Sequence, residues 1–163
     1  IMKHIISVVV RNTSGVLARV SSLFGRRGFN IDSLSVRATD DPQISRITVV
    51  VNGDDNALEQ VCKQTAKLVD TISVTALNEE NTVARELLLV KVIFEDKIDK
   101  QVVHLCDTFG AIILDISSTS MIMELTGTTY KIDEFMSELM NNRNHYKVHK
   151  VCRTGITAME RGL

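Results

Sequence analysis

The sequence predicts an α+β protein made of two βαββαβ units in tandem, and two observations carry that prediction. Short runs of β-branched and apolar residues alternate with segments whose apolar residues recur at helical spacing. The order strand, helix, strand, strand, helix, strand then occurs twice along the 163 residues. Each unit is expected to place two helices on one face of a four-stranded antiparallel sheet, the ferredoxin-like arrangement.

The first unit opens with a strand and a helix. Residues 4–10 are β-branched or apolar with little interruption, which is typical of a strand in the centre of a sheet. From Gly15 onward the apolar residues follow helical spacing, and Gly25 and Gly28 are expected to end this helix. Its expected core-facing residues are Val16, Leu17, Val20, Leu23 and Phe24.

The remainder of the first unit predicts a hairpin, a helix and a last strand. Two extended runs flank the turn-forming residues 40–42, which favours antiparallel neighbours. Asp54 or Asp55 is expected to cap the second helix, with Ala66 among its core-facing residues. The predicted elements are strands over residues 29–39, 44–52 and 69–77 and a helix over residues 57–67.

A polar, charged segment at residues 78–84 is expected to link the units, so we assign the first domain to residues 1–77 and the second to 85–163. Aligning Gly28 with Gly110 places two apolar triplets on each other: Ile6, Val8 and Val10 on Leu88, Val90 and Val92. The second unit is predicted to contain strands over residues 86–94, 111–117, 120–127 and 146–155 and helices over residues 96–110 and 130–142.

Composition argues against several function classes. A net charge of −1, scattered Lys and Arg, 4% aromatic residues and no Trp disfavour nucleic acid as a partner. No segment approaches the roughly 20 apolar residues that span a bilayer, and no secretion signal is evident. Cys62, Cys106 and Cys152 are widely spaced, which disfavours a disulfide framework and leads us to expect a cytoplasmic protein.

The junction between the first strand and helix, residues 11–17, reads RNTSGVL and supports two interpretations. Thr13 or Ser14 could cap the helix, with Gly15 forming a tight turn. Alternatively, the positively polarised amides of the helix start could hold a carboxylate or phosphate, with Gly15 allowing close approach. No Glu or Gln follows three residues after either hydroxyl, so no capping box occupies these amides.

Two asparagines favour the second interpretation. Asn30 begins the second strand, which we expect beside the first, so that Asn12 and Asn30 face the same loop. An amide side chain offers both a carbonyl and an NH₂ group, which suits a ligand with an ammonium and a carboxylate. Taken alone, Asn30 is better explained as a turn residue. The second unit reads EDKID at the corresponding junction, so only the first unit carries this candidate site.

Other polar clusters have simpler interpretations. His145, His149 and Cys152 have a metal-like spacing, but on a strand Cys152 would point away from the two histidines. We therefore expect solvent-facing histidines and no metal site. Residues 40–41 and 54–55 are acidic pairs that we interpret as turn and cap residues and not as an acid and base pair.

The run NTSGVLARVSSLFGRRGFNIDSLSV, residues 12–36, resembles the ACT domain at the start of the regulatory (small) subunit of acetolactate synthase. RELLLVKV, FGAIILDIS and VCRTGITAMERG resemble the C-terminal domain of that subunit. The resemblance implies a protein without catalysis or cofactors of its own. In this family the large subunit carries thiamine diphosphate, magnesium and FAD, and the small subunit activates it and confers inhibition by a branched-chain amino acid, usually valine.

The resemblance also implies an effector site where the ACT domains of two chains pair as a homodimer. The amides of residues 15–17 would bind the amino-acid carboxylate, with Asn12 from one chain and Asn30 from its partner. Leu17 and Ile31 would help form an apolar pocket for the branched side chain. The implied effector-binding residues are Asn12, Gly15, Val16, Leu17, Asn30 and Ile31.

Two other function classes stay open. Acylphosphatase-type enzymes also use a ferredoxin-like unit with an anion-binding first loop, and Arg11 lies close enough in sequence to keep that alternative. A free-standing ACT-type amino-acid sensor, such as a transcriptional regulator, is the other. The chain has no evident helix-turn-helix or basic surface, and its C-terminal half resembles the synthase subunit instead.

Overall fold

The computed structural model of the chain describes residues 2–141 and 145–162. It divides into two compact units, one formed by residues up to Ala84 together with the segment from Ile156 onward, the other by Arg85–Gly155. The sequence predicts that the segment after Gly155 belongs to the second domain. In the structure its described part lies with the first unit, where Ile156 is buried against Ile5 and Val50.

The first unit has the predicted βαββαβ order. Its elements are β1 (Met2–Arg11), α1 (Val16–Arg26), β2 (Asn30–Ala38), β3 (Ile44–Gly53), α2 (Asp55–Ala66) and β4 (Thr71–Leu77). The strands lie in the order β2-β3-β1-β4, and every neighbouring pair is antiparallel. In the predicted hairpin turn, the Asp41 carboxylate accepts a hydrogen bond from the Gln43 amide at 2.9 Å, as expected of a turn residue.

The core of the first unit lies between the sheet and its two helices. It is built from alternate residues of β1 and β3, from α1 and from α2; its fully buried members include Ile6, Val8, Val10, Val20, Phe24, Ile47, Val49, Val51 and Val61. The expectation for Ala66 was wrong, because Ala66 is exposed and Thr65 is buried in its place. The Thr65 hydroxyl donates to the Val61 carbonyl at 2.7 Å, which satisfies it inside the core.

The second unit repeats this plan. Its elements are β5 (Thr82–Phe94), α3 (Lys100–Phe109), β6 (Ile112–Ile116), β7 (Ser120–Gly127), α4 (Thr129–Asn141) and β8 (Tyr146–Arg153). A 3₁₀ helix (Glu79–Asn81) precedes β5, and β9 (Thr157–Glu160) belongs to the segment that lies with the first unit. The strands lie in the order β6-β7-β5-β8, and β9 pairs with β5. The expected linker, residues 78–84, therefore holds the 3₁₀ helix and the first residues of β5. The longest helix has 13 residues, and no helix in the described ranges is suited to crossing a membrane.

The two units match at the positions that the sequence alignment predicted. Leu88, Val90 and Val92 are buried in the second core as Ile6, Val8 and Val10 are in the first. Gly28 and Gly110 have φ angles of 76° and 74°, the left-handed region that glycine adopts without steric cost. Each glycine therefore allows the chain to turn after the first helix of its unit.

Candidate functional site

The candidate site lies where β1 ends and α1 begins. Gly15 is the N-cap residue of α1, with φ 79° and ψ 0°. This left-handed conformation favours glycine because a side chain would clash with the backbone. The chain can therefore turn sharply from the strand into the helix and leave the backbone of the turn exposed to an approaching ligand.

The first turn of α1 has no side-chain cap, so the expectation that Thr13 or Ser14 caps it was wrong. The Val16 amide reaches the Thr13 carbonyl at 3.3 Å. Within the described part of the chain, the amides of Gly15 and Leu17 have no hydrogen-bond acceptor. These amides lie at the positive end of the helix dipole and are available to an external anion.

Side chains do cap the next two helices. The Asp54 carboxylate accepts from the Ala57 amide at 2.7 Å at the start of α2, which confirms one of the two predicted caps. The Asp99 carboxylate accepts from the Gln101 amide at 2.8 Å at the start of α3. Since α3 is the counterpart of α1 in the second unit, Asp99 caps there the helix start that has no side-chain cap in the first unit.

Arg19 holds the uncapped loop in place. Its guanidinium donates to the Asp70 carboxylate at 2.5 Å and makes longer contacts with the Thr13 hydroxyl at 3.5 Å and the Ser14 carbonyl at 3.4 Å. The backbone carbonyl of Asp70 accepts from the Arg11 amide at 2.8 Å. The Thr13 hydroxyl does not cap the helix amides. Sequence reasoning missed Arg19 and Asp70 because 51 positions separate them.

Asn12 is exposed and is tied to the loop between β2 and β3. Its backbone amide donates to the Gln43 carbonyl at 2.7 Å, and its side-chain NH₂ donates to the Pro42 carbonyl at 3.0 Å. The side-chain oxygen of Asn12 has no donor among the described residues. This oxygen can therefore accept a hydrogen bond from a ligand ammonium group.

Asn30 lies at the other end of the sheet. The expectation that the second strand lies beside the first was wrong, because β3 separates β1 from β2. Asn30 pairs with Asn52 of β3, and Asn52 pairs in turn with Lys3 near the start of β1. Asn12, in contrast, directly follows the end of β1. At about 3.3 Å per residue, Asn12 and Asn30 are about 30 Å apart along the strands. The two side chains of one chain cannot contact the same small ligand.

Phe29 fixes the chain next to Asn30. Its ring is buried and packs edge to face on Phe24 at a centroid distance of 6.3 Å. A Cβ atom on Gly53 would lie 2.2 Å from the Phe29 ring, so only glycine fits at that position. Leu17 and Ile31, the predicted pocket residues, are each half-buried against the core of the first unit.

The other chemistry-bearing residues do not assemble a site. Within residues 2–141 and 145–162, no three His, Cys, Asp or Glu side chains lie close enough together to hold a metal ion. His149 lies at a bulge in β8, and His145, His149 and Cys152 are all exposed. Cys106 is buried, and its Sγ lies 3.1 Å from the sulfur of Met123. Burial, together with the negative charge of Asp107, raises the pKa of the Cys106 thiol to about 11. Cys106 is therefore a poor nucleophile.

Two family models match the chain. Residues 6–73 match the AHAS small subunit-like ACT domain, and residues 85–162 match the small subunit of acetolactate synthase. The first match lies within the first unit, the second covers the second unit and the segment that follows it, and together they cover most of the chain.

Individual proteins resemble the chain over almost its whole length. The probable acetolactate synthase small subunit of Archaeoglobus fulgidus is 46% identical over 161 residues, which cover 99% of this chain and 98% of that protein. The acetolactate synthase small subunit of Mycolicibacterium smegmatis is 40% identical over 159 residues, covering 98% and 91%. The crystal structure of the acetolactate synthase small subunit from Thermotoga maritima superposes with a TM-score of 0.89 at 38% identity, covering 100% of this chain and 99% of that chain.

Proposed function

Because the chain belongs to the acetolactate synthase small subunit family, we propose that it is a non-catalytic regulatory subunit whose effector is a branched-chain amino acid, with valine as the first candidate. Family membership implies a catalytic large subunit as partner. In this proposal the chain activates that partner and confers feedback inhibition on it. The thiamine diphosphate, magnesium and FAD of the reaction belong to the large subunit, and this chain holds no cofactor.

The uncapped start of α1 is the observation that carries the effector site. In the proposal the effector carboxylate accepts hydrogen bonds from the amides of Gly15 and Leu17, which have no other acceptor in the described part of the chain. The Val16 amide exchanges its 3.3 Å contact with Thr13 for the same carboxylate. The effector ammonium donates to the side-chain oxygen of Asn12.

A second copy of the chain completes the proposed site. Asn30 of the same chain lies about 30 Å from Asn12 along the strands, so in this proposal the Asn30 that meets the ligand belongs to a partner. We place Ile31 of that partner across from Leu17, where both half-buried side chains cover an aliphatic group. The ACT domains of the two chains would pair to form this site.

A shared site also provides the regulation. A ligand shifts an equilibrium only when it binds one arrangement better than the other. An effector held by residues of two chains binds the paired arrangement and cannot bind equally well to chains that are separated or rotated. Effector binding therefore favours one quaternary arrangement, and the large subunit responds to it.

The two alternative classes receive no comparable support. The acylphosphatase alternative depended on the ferredoxin-like unit, its first loop and Arg11, whereas relatives named as acetolactate synthase small subunits match 98–99% of this chain. The transcriptional-regulator alternative is disfavoured by the second unit, since residues 85–162 match the synthase small subunit.

Reconstitution with the large subunit tests the proposal. Acetolactate formation is measured with the large subunit alone and with increasing amounts of this chain, and each branched-chain amino acid is then titrated. We expect the chain to raise the rate and to make it sensitive to valine. A chain that neither stimulates the large subunit nor sensitises it to any of the three amino acids would exclude the proposed function.

A further inference from the structure

The first sheet packs its two helices against one face, and the opposite face, the outer face, carries a different set of side chains. Val8 and Val10 of β1 are buried in the core beneath the helices. Because side chains alternate along a strand, Val9 and Arg11 belong to the outer face. Residues directly opposite one another in an antiparallel ladder share a face, so the strand register gives the composition of the outer face row by row.

Three arginines meet at one end of the outer face. Arg46 of β3 is opposite Val9, and Arg37 of β2 is opposite Arg46. Arg11 lies two positions after Val9 on β1. From the strand spacing and the rise per residue, the Cα atoms of the three arginines lie within about 12 Å of one another. All three residues are exposed, and together they form the arginine patch.

Folding of the single chain does not explain the arginine patch. Arg37 and Arg46 are directly opposite each other, which is unfavourable because like charges in register repel. Among the described residues, no carboxylate forms an ion pair with any of the three arginines. Arg46 donates instead to the Ser7 hydroxyl at 2.8 Å, which leaves its positive charge uncompensated. The patch thus concentrates positive charge in a chain whose net charge is −1.

The surroundings of the arginine patch are uncharged. The next row of the outer face consists, from β2 to β4, of Ser35, Thr48, Ser7 and Thr75. Hydroxyl groups can donate and accept hydrogen bonds without adding charge. Farther along, the outer face is apolar and covered, since Ile5 and Val50 are buried against Ile156. The segment that begins at Ile156 therefore covers one end of the outer face, while the arginine end is exposed in the described part of the chain.

We propose that the arginine patch is the surface through which the chain binds a carboxylate-rich region of the large subunit, an inference that rests on the regulatory function proposed above. Guanidinium groups form paired hydrogen bonds with carboxylates, and arginine is enriched in protein interfaces. Three guanidinium groups spread over three strands of an exposed sheet match several carboxylates on a protein surface. A small anion, in contrast, is typically bound in a concave pocket.

Asn12 connects the arginine patch to the proposed effector site, which favours the large subunit as the occupant. Asn12 directly follows Arg11, and its side-chain NH₂ donates to the Pro42 carbonyl at 3.0 Å. Pro42 lies in the turn between β2 and β3, the strands that carry Arg37 and Arg46. An effector bound to Asn12 therefore contacts a residue that is joined to both parts of the patch. The partner that responds to the effector needs contacts that differ between the two states, and this surface provides them.

Charge reversal in the full chain tests the arginine patch. Arg11→Glu and Arg37→Glu are made singly, and affinity for the purified large subunit is measured by surface plasmon resonance at several ionic strengths. We expect each variant to bind about tenfold more weakly than the wild type. The affinity of the variants should also fall less steeply as ionic strength rises, because fewer attractive pairs are screened. Arg26→Glu, the same change at an exposed residue of α1, is the matched control and should bind like the wild type.

Urea unfolding separates a role in binding from a role in folding. Arg37→Glu replaces a repulsive pair with Arg46 by an attractive pair, so this variant should unfold at a higher urea concentration than the wild type. A chain that is more stable and yet binds the large subunit more weakly shows that Arg37 serves the interface. Valine binding to the chain alone, measured by calorimetry, should be retained in both variants, since neither side chain contacts the proposed effector.

The possible outcomes distinguish this surface from the proposed function. Wild-type affinity of both arginine variants for the large subunit would overturn the arginine patch and leave the proposed function intact. The same holds if the variants lose only self-association in sedimentation equilibrium, which would assign the patch to a second copy of the chain. A wild-type chain that does not bind the large subunit at all would contradict the proposed function and this surface with it.

Discussion

Asn12 and Asn30 lie at opposite ends of the same four-stranded sheet, about 30 Å apart along the strands. The two strands β1 and β2 run parallel with β3 between them, and α1 returns the chain to the end where β1 began. A free amino acid is far shorter than this distance. A ligand site that uses both asparagines therefore requires two chains, and the effector site proposed above depends on that geometry.

Gly15→Asp is expected to abolish valine inhibition and to leave activation of the large subunit intact. The new carboxylate would repel the effector carboxylate, and φ at this position disfavours any side chain. The measurement is acetolactate formation by the reconstituted enzyme over a valine titration. Gly110→Asp is the matched control, since Gly110 has a φ of 74° with open space around it in the second unit. Normal inhibition of the Gly15 variant would rule out this carboxylate site.

Gly53→Ala is expected to destabilise the first unit and to weaken valine inhibition. A Cβ atom would lie 2.2 Å from the Phe29 ring, and overpacking of this kind costs about 1–3 kcal/mol. Displacement of Phe29 also moves the adjacent Asn30. Urea unfolding measures the first effect and valine titration the second. Gly25→Ala is the control, because no atom lies within 4 Å of its Cβ position and alanine stabilises a helix by about 0.5–1 kcal/mol. Equal stabilities of the two variants would contradict the packing argument.

Arg19→Met is expected to weaken valine inhibition by loosening the loop before α1. The variant loses the Arg19 contacts to Asp70, Thr13 and Ser14. A partly exposed ion pair contributes at most about 1 kcal/mol, which corresponds to about a fivefold weaker inhibition constant. Arg26→Met on the same helix is the control, since Arg26 forms no ion pair among the described residues. An unchanged inhibition constant in Arg19→Met would show that the loop needs no support from Arg19.

Cys106 is expected to make stability depend on pH in the alkaline range. Burial raises the pKa of its thiol from 9.0 to about 11, so the folded chain holds this proton more tightly than the unfolded chain does. The resulting stabilisation is fully present below pH 9 and is lost as the pH rises toward 11. Urea unfolding of the wild type and Cys106→Ala should show a difference that shrinks between pH 9 and 11. A difference that stays constant over this range would contradict the prediction.

The fold could be predicted largely from local patterns. Alternation in the strands, helical spacing and the glycines after α1 and α3 indicated the repeated βαββαβ order, which the structure confirms. The strand β9 was missed because its four residues carry little apolar pattern and depend on pairing with β5. Strand neighbours were harder to predict, since the insertion of β3 between β1 and β2 is a long-range property of the topology.

The candidate site was only partly predictable. Gly15 marked the turn correctly, because a left-handed residue has a local sequence signature. The uncapped helix start and its support by Arg19 could not be predicted, because the Arg19–Asp70 ion pair joins residues 51 positions apart. Hydroxyl residues at a helix start favour a side-chain cap, but the sequence does not fix whether those side chains turn toward the helix amides.

A mixed-chain experiment tests most directly whether two chains form the effector site. Asn12→Ala and Asn30→Ala chains are prepared separately and co-expressed with different tags, and the heterodimer is isolated. Valine binding is then measured by calorimetry. Each variant alone should bind no valine, whereas the heterodimer should regain one site, because one of its two sites combines the intact Asn12 with the intact Asn30. A heterodimer that binds valine no better than either variant alone would contradict the shared site.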